Sequence, residues 1–77
     1  MDDGELLKQI GCKIAYYRKL YGMNQEQFAQ KLFISKEKLK QIETGDSNVS
    51  VVTINIIAKE FGVELYKFFD FDLKLRN

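Results

Sequence analysis

The stretch from Asn24 to Gly45, NQEQFAQKLFISKEKLKQIETG, constrains the fold more than any other part of the chain. It carries start and stop signals for two short helices with almost nothing between them. Asn24 is an N-cap, and Gln27, three residues on, reaches back to complete a capping box. Phe28, Ala29 and Leu32 follow as one apolar stripe, and Phe33-Ile34 closes this helix. Ser35 caps a second helix, Lys36 to Thr44, with Leu39 and Ile42 as its apolar stripe and Gly45 as its left-handed stop. The lysines of that second helix lie on a face that packing does not need. Two helices joined by a turn of about three or four residues form the geometry that offers one helix to a DNA major groove.

The remaining segments predict more helices around this pair. Glu5 to Tyr21 reads as a first helix with Leu6, Leu7, Ile10, Ile14 and Tyr17 as its buried stripe and Gly22 as its C-cap. Gly11 inside it costs about 1 kcal/mol against alanine, so close helix packing is the expected reason for it. Ser50 caps a helix from Val51 to Phe61, ended by Gly62, with Val51, Ile54, Ile57, Ala58 and Phe61 as its core face. Glu64 to Phe69 makes a short fifth helix, with Leu65 and Phe68 closing the core. The chain therefore reads as an all-α, compact five-helix domain spanning 1–77, with its core in 5–69 and a tail from 70 to 77.

Seventy-seven residues allow one modest core. The net charge is only +1, but its distribution is uneven. Residues 8–41 hold eight basic against two acidic groups (+6), while residues 1–7 carry −3 and residues 42–77 carry −2. The positive excess sits on the segment with the two paired helices, which favours contact with a polyanion through one face. One cysteine, Cys12, and no histidine exclude an internal disulfide and argue against a zinc site. No cofactor is implied. The same scarcity leaves no acid–base or nucleophilic constellation, so an enzyme is the least favoured class. No apolar run reaches the roughly 20 residues of a membrane span, and the acidic MDDGELL start is unlike a signal peptide, so a cytoplasmic location is expected.

Two features exceed what a monomer needs. Val52 and Ile56 point roughly opposite to the core face of the fourth helix, at about 100° per residue. In the tail, Phe69, Phe71, Leu73 and Leu75 alternate with polar residues at period two, the signature of a half-buried strand. A lone strand has no partner within a helical domain, whereas the same strand of a second chain supplies one under two-fold symmetry. The alternatives for this segment are a frayed tail and an extension of the last helix. Homodimerisation through some of these residues is the expectation.

With Leu39 pointing inward, Glu37, Lys40, Gln41 and Thr44 fall on the outward half of the third helix, and Lys36 lies at its first turn. Side chains near the start of such a helix reach base edges. Lys36 can donate to guanine O6 and N7, Gln41 can pair with adenine N6 and N7, and Glu37 can accept from cytosine N4. Gln25 stands at a helix start, where free N–H groups favour a phosphate. Thr44, Ser47 and Asn48 are weaker backbone candidates. Glu43 lies only about 40° from Leu39, half buried at a helix carboxyl end, and needs a cation; Arg18 is the candidate. Read alone, Lys36, Glu37, Lys40 and Gln41 also fit an ordinary solvated helix face.

These residues together resemble the Cro and lambda-repressor type helix-turn-helix family, the XRE-like transcriptional regulators. The resemblance is carried by Gly11 and Arg18, by Asn24 to Ala29, by Ile34-Ser35-Lys36 and by Ile42 to Gly45. It continues through Thr53, Ile57-Ala58-Lys59 and Gly62-Val63, and so spans roughly Ile10 to Phe69. It implies that Lys36, Glu37 and Gln41 face bases, that Lys38 and Lys40 serve bases or backbone, and that Gln25 holds the DNA backbone. It also implies a structural ion pair between Arg18 and Glu43. The family usually places proline just before the fourth helix's capping serine; Val49 stands there instead, which predicts a less rigid loop. The function so implied is a sequence-specific DNA-binding regulator, a homodimer on an inverted-repeat operator. The competing reading is a protein-interaction module of the same fold that has lost DNA contact, favoured by the near-neutral charge and by Glu37.

Overall fold

A computed structural model describes residues 2–70. It contains four α-helices, α1 (Asp3–Leu20), α2 (Gln25–Leu32), α3 (Lys36–Thr44) and α4 (Val51–Phe61), followed by a 3-10 turn, Leu65–Phe69. No strand occurs among the described residues. The tail positions Phe71, Leu73 and Leu75, on which the strand expectation rests, lie outside them.

Local capping explains where the helices begin. The Asn24 Oδ1 accepts the Gln27 N–H at 2.7 Å, and the Gln27 Oε1 accepts the Asn24 N–H at 2.9 Å. Ser35 and Ser50 each accept an N–H three residues on at 3.0 Å. Helix α1 starts at Asp3, two residues earlier than the spacing predicts. The carboxylate of Asp2 caps it by accepting the Glu5 N–H at 2.8 Å. Asp3 and Glu5 then lie in the first turn, where the helix dipole favours negative charge. Its C-cap is Tyr21, not Gly22; the glycine follows at φ 73.

The expected fifth helix is a 3-10 turn of five residues. Glu64 offers it no side-chain cap, and so short a segment forms too few i to i−4 bonds to offset the nucleation cost of an α-helix. The tighter turn still delivers Phe68, which is fully buried.

The core gathers Ile10 and Ile14 of α1, Phe28 and Ala29 of α2, Leu39 and Ile42 of α3, and Ile54, Ile57, Ala58 and Phe61 of α4 around Phe68. Its centre is aromatic. Phe28 stacks on Phe61 at 4.7 Å between ring centroids, and Tyr17 meets Phe68 at 5.3 Å. Two stripe residues depart from the sequence expectation. Leu7 is half-buried and stays outside this cluster. Val51 is 60% exposed, because it is the first residue of α4 and overhangs the core; Val49, in the preceding loop, packs there instead.

Gly11 is where α1 and α3 touch backbone to backbone. A Cβ built there would fall 2.5 Å from the Ile42 carbonyl oxygen and would also collide with the Glu43 carbonyl. Phe33 ends α2 in the left-handed region at φ 59. There the Ile34 N–H returns to the Ala29 carbonyl at 3.0 Å. That conformation costs a residue with a Cβ about 1–2 kcal/mol, a cost glycine escapes.

Candidate nucleic-acid interface

Helix α3 has two unlike sides. Leu39, Ile42 and Glu43 are buried, while Lys36, Glu37, Lys40, Gln41 and Thr44 are exposed. Among the described residues no hydrogen bond or ion pair engages the side chains of Lys36, Glu37, Lys40 or Gln41. Glu37, Lys40, Gln41 and Thr44 line one shallow depression of about 270 Å³ together with Asp46.

The inner side is held by a buried polar network. The Arg18 Nε lies 2.7 Å from the Glu43 Oε2, and the Arg18 Nη2 donates to the Oε1 at 3.2 Å. The guanidinium also donates through Nη1 to the Met23 carbonyl at 2.8 Å. The Gln25 Nε2 donates to the Glu43 Oε1 at 2.9 Å. Arg18 and Glu43 side chains are 9% and 5% exposed, so water competes little for these bonds. One carboxylate therefore ties together α1, the start of α2 and the end of α3. No buried side-chain nitrogen or oxygen among the described residues lacks a partner.

The other candidate residues divide differently. Lys38 turns its ammonium to the Ser47 hydroxyl at 2.8 Å, which pins the α3–α4 loop. The Thr44 hydroxyl lies 3.0 Å from the Lys40 carbonyl and 2.9 Å from the Asp46 carboxylate, so its single proton is already engaged. Asn48 is exposed. Of the outer residues of α4, Val52 is 69% and Ile56 50% exposed; Phe69 is 37% exposed.

Two features of this region escape the sequence reading. Asp46 brings a carboxylate to the lower end of the α3 face, and its only signal is its place directly after the Gly45 stop. Phe33 closes α2 as its C-cap, as the sequence indicates, but its projection from the turn almost fully into solvent has no local signal. No group of three or more histidine, cysteine, aspartate or glutamate side chains among the described residues can hold a metal ion. None of the described helices is long and apolar enough to cross a membrane.

A family model described as helix-turn-helix matches residues 14–68. This chain belongs to the XRE-type helix-turn-helix family of DNA-binding transcriptional regulators. Within that family it is 37% identical over 60 residues to an uncharacterized HTH-type transcriptional regulator of Methanocaldococcus jannaschii, covering 78% of this chain and 91% of the relative. Among solved structures it is similar to the restriction-modification controller protein C.AhdI of Aeromonas hydrophila, with a TM-score of 0.75 and 27% identity. That match covers 82% of this chain and 96% of the controller. A transcriptional regulator of the same family from Vibrio cholerae gives a TM-score of 0.78 at 31% identity over 88% of this chain, but only 38% of the longer regulator is spanned. In the helix-turn-helix frame α2 and α3 are the paired helices, and α3 is the one whose outer face is free.

Proposed function

We propose that the chain is a sequence-specific regulator, a single domain that binds an inverted-repeat operator as a homodimer with α3 in the major groove. The observation that carries this reading is the contrast across α3: an inner side locked by Arg18 and Glu43, and an outer side whose Lys36, Glu37, Lys40 and Gln41 have no partner within the described residues. Side chains so placed keep their donors and acceptors for base edges. Lys36 reads guanine, Gln41 adenine and Glu37 cytosine, with Lys40 beside them. Lys38 and Asn48 serve the phosphate backbone; Thr44 and Ser47 serve it only once their hydroxyl protons turn from the Asp46 carboxylate and the Asn48 carbonyl to a phosphate oxygen. Gln25 contributes there through the start of α2, its side-chain amide already oriented by Glu43. A regulator of this kind works in the cytoplasm.

Selection of bound fragments from random DNA tests the reading. The expected product is an inverted repeat with half-sites about one helical turn apart, close to 34 Å. Gln41→Ala is expected to relax preference at one base pair by about 5- to 150-fold, and Glu37→Ala at another. Binding to the selected site should weaken with salt at a slope of about −0.9 per phosphate neutralised. The contrary outcome is a weak, salt-insensitive interaction with no preferred sequence. It would favour the second reading, a protein-interaction module, which the Glu37 and Asp46 carboxylates on the outer face support.

Val52 and Ile56 support the homodimer, because two β-branched side chains stand exposed on the far side of α4. Ile56→Glu is expected to reduce the mass in solution from dimer to monomer and to weaken operator binding. A variant that keeps the dimer mass would remove α4 from the interface.

A further inference from the structure

Phe33 is the only non-glycine residue at positive φ among the described residues, and the residue is 95% exposed. The fold gains nothing from that ring. It contributes no packing to the core, and its backbone conformation suits glycine better. A side chain held at a strained position without any internal contact points to a contact outside the molecule. Its place is specific. Phe33 lies two residues before Ser35, the cap of α3, so its Cα is at most about 7 Å from the start of the helix that reads DNA. Lys31 and Lys36, both exposed, flank it in sequence, and Lys38 follows on the first turn of α3. An exposed aromatic residue with lysines on either side of it in sequence, at the entering end of a reading helix, is complementary to a duplex in both charge and apolarity.

We infer that Phe33 is a specificity-determining residue that packs against the C5-methyl group of a thymine at the edge of the half-site. The inference rests on the DNA-reading function proposed above. The major groove presents one apolar mark, the thymine methyl, and a phenyl ring is among the side chains that contact it. Strain in the free protein is then tolerated because the ring is used only in the complex.

The test uses the operator selected with the wild-type chain, and copies of it in which each thymine in turn is replaced by deoxyuridine. Phe33→Gly is expected to melt no lower than wild type, since it removes the left-handed strain, and to bind the operator about tenfold more weakly. One thymine-to-uracil replacement should weaken the wild type by a similar factor and leave Phe33→Gly unaffected. Phe33→Asn, which also tolerates the left-handed region, should behave as the glycine variant does. Equal operator affinity of wild type and Phe33→Gly overturns the inference, as does a uracil series that never distinguishes the two proteins. Those results would leave the DNA-reading function standing, whereas failure of the wild type to select any DNA would overturn both.

Discussion

Arg18→Ala is expected to destabilise the protein by about 3–5 kcal/mol. The Glu43 carboxylate, 5% exposed while Arg18 is in place, would stay behind supported only by the Gln25 amide, and an ion stripped of its partner in such a site is heavily penalised. The Met23 carbonyl would lose its donor as well. A chain of 77 residues has a total stability of only about 4–12 kcal/mol, so the loss is a large part of the whole. The midpoint of a thermal melt should fall by about 12 °C or more. Replacing both partners with apolar residues, Arg18→Met with Glu43→Leu, should recover most of it, because no unpaired charge then remains. A single variant melting within about 2 °C of wild type would show that the pair does not hold α1 to α3.

Gly11 offers a sign test at the same helix crossing. Helix propensity alone predicts that Gly11→Ala stabilises α1 by about 1 kcal/mol. The contact geometry predicts the reverse. The new methyl would meet the backbone carbonyls of Ile42 and Glu43, which unlike a flexible side chain cannot swing away. Helices α1 and α3 would have to separate, loosening the core to which both contribute. Overpacking of this kind costs about 1–3 kcal/mol, so the alanine variant should be less stable than wild type, and Gly11→Val should lose about 3 kcal/mol or more. Urea unfolding measures both. An alanine variant at least as stable as wild type would overturn the close-contact account.

The two variants also separate stability from reading. Neither residue lies on the outer face of α3, yet both set how that face is presented. Below their melting temperatures, any shift in base preference would report a reoriented α3, because the side chains that meet bases are unaltered.

Much of this architecture was legible in the sequence because capping is local. Asn24, Ser35 and Ser50 each bond an N–H only three residues away, so the starts of α2, α3 and α4 need no knowledge of the rest of the fold. Gly45 and Gly62 end α3 and α4 for the same reason, at φ 81 and 70. The two-sidedness of α3 follows from periodicity: once Leu39 and Ile42 are inside, Glu37 and Gln41 are rotated out. Glu43 was legible as a half-buried charge in need of a cation.

Tertiary structure decided the rest. A helical wheel says which way a side chain points but not whether another element stands opposite, so Val51 lies on the apolar side of α4 yet remains exposed. The Gln25 amide turns to Glu43 rather than to solvent because α1 and α3 bring the carboxylate within 2.9 Å of it. The last segment is a 3-10 turn, uncapped and too short to propagate an α-helix, and it is the packing of Phe68 into the core that holds it in place. Phe33 takes a left-handed conformation because the chain must reverse between α2 and α3 at that point, whatever residue occupies it. Hydrogen bonds between near neighbours are written into the order of residues, whereas burial and long-range pairing exist only after the helices have met.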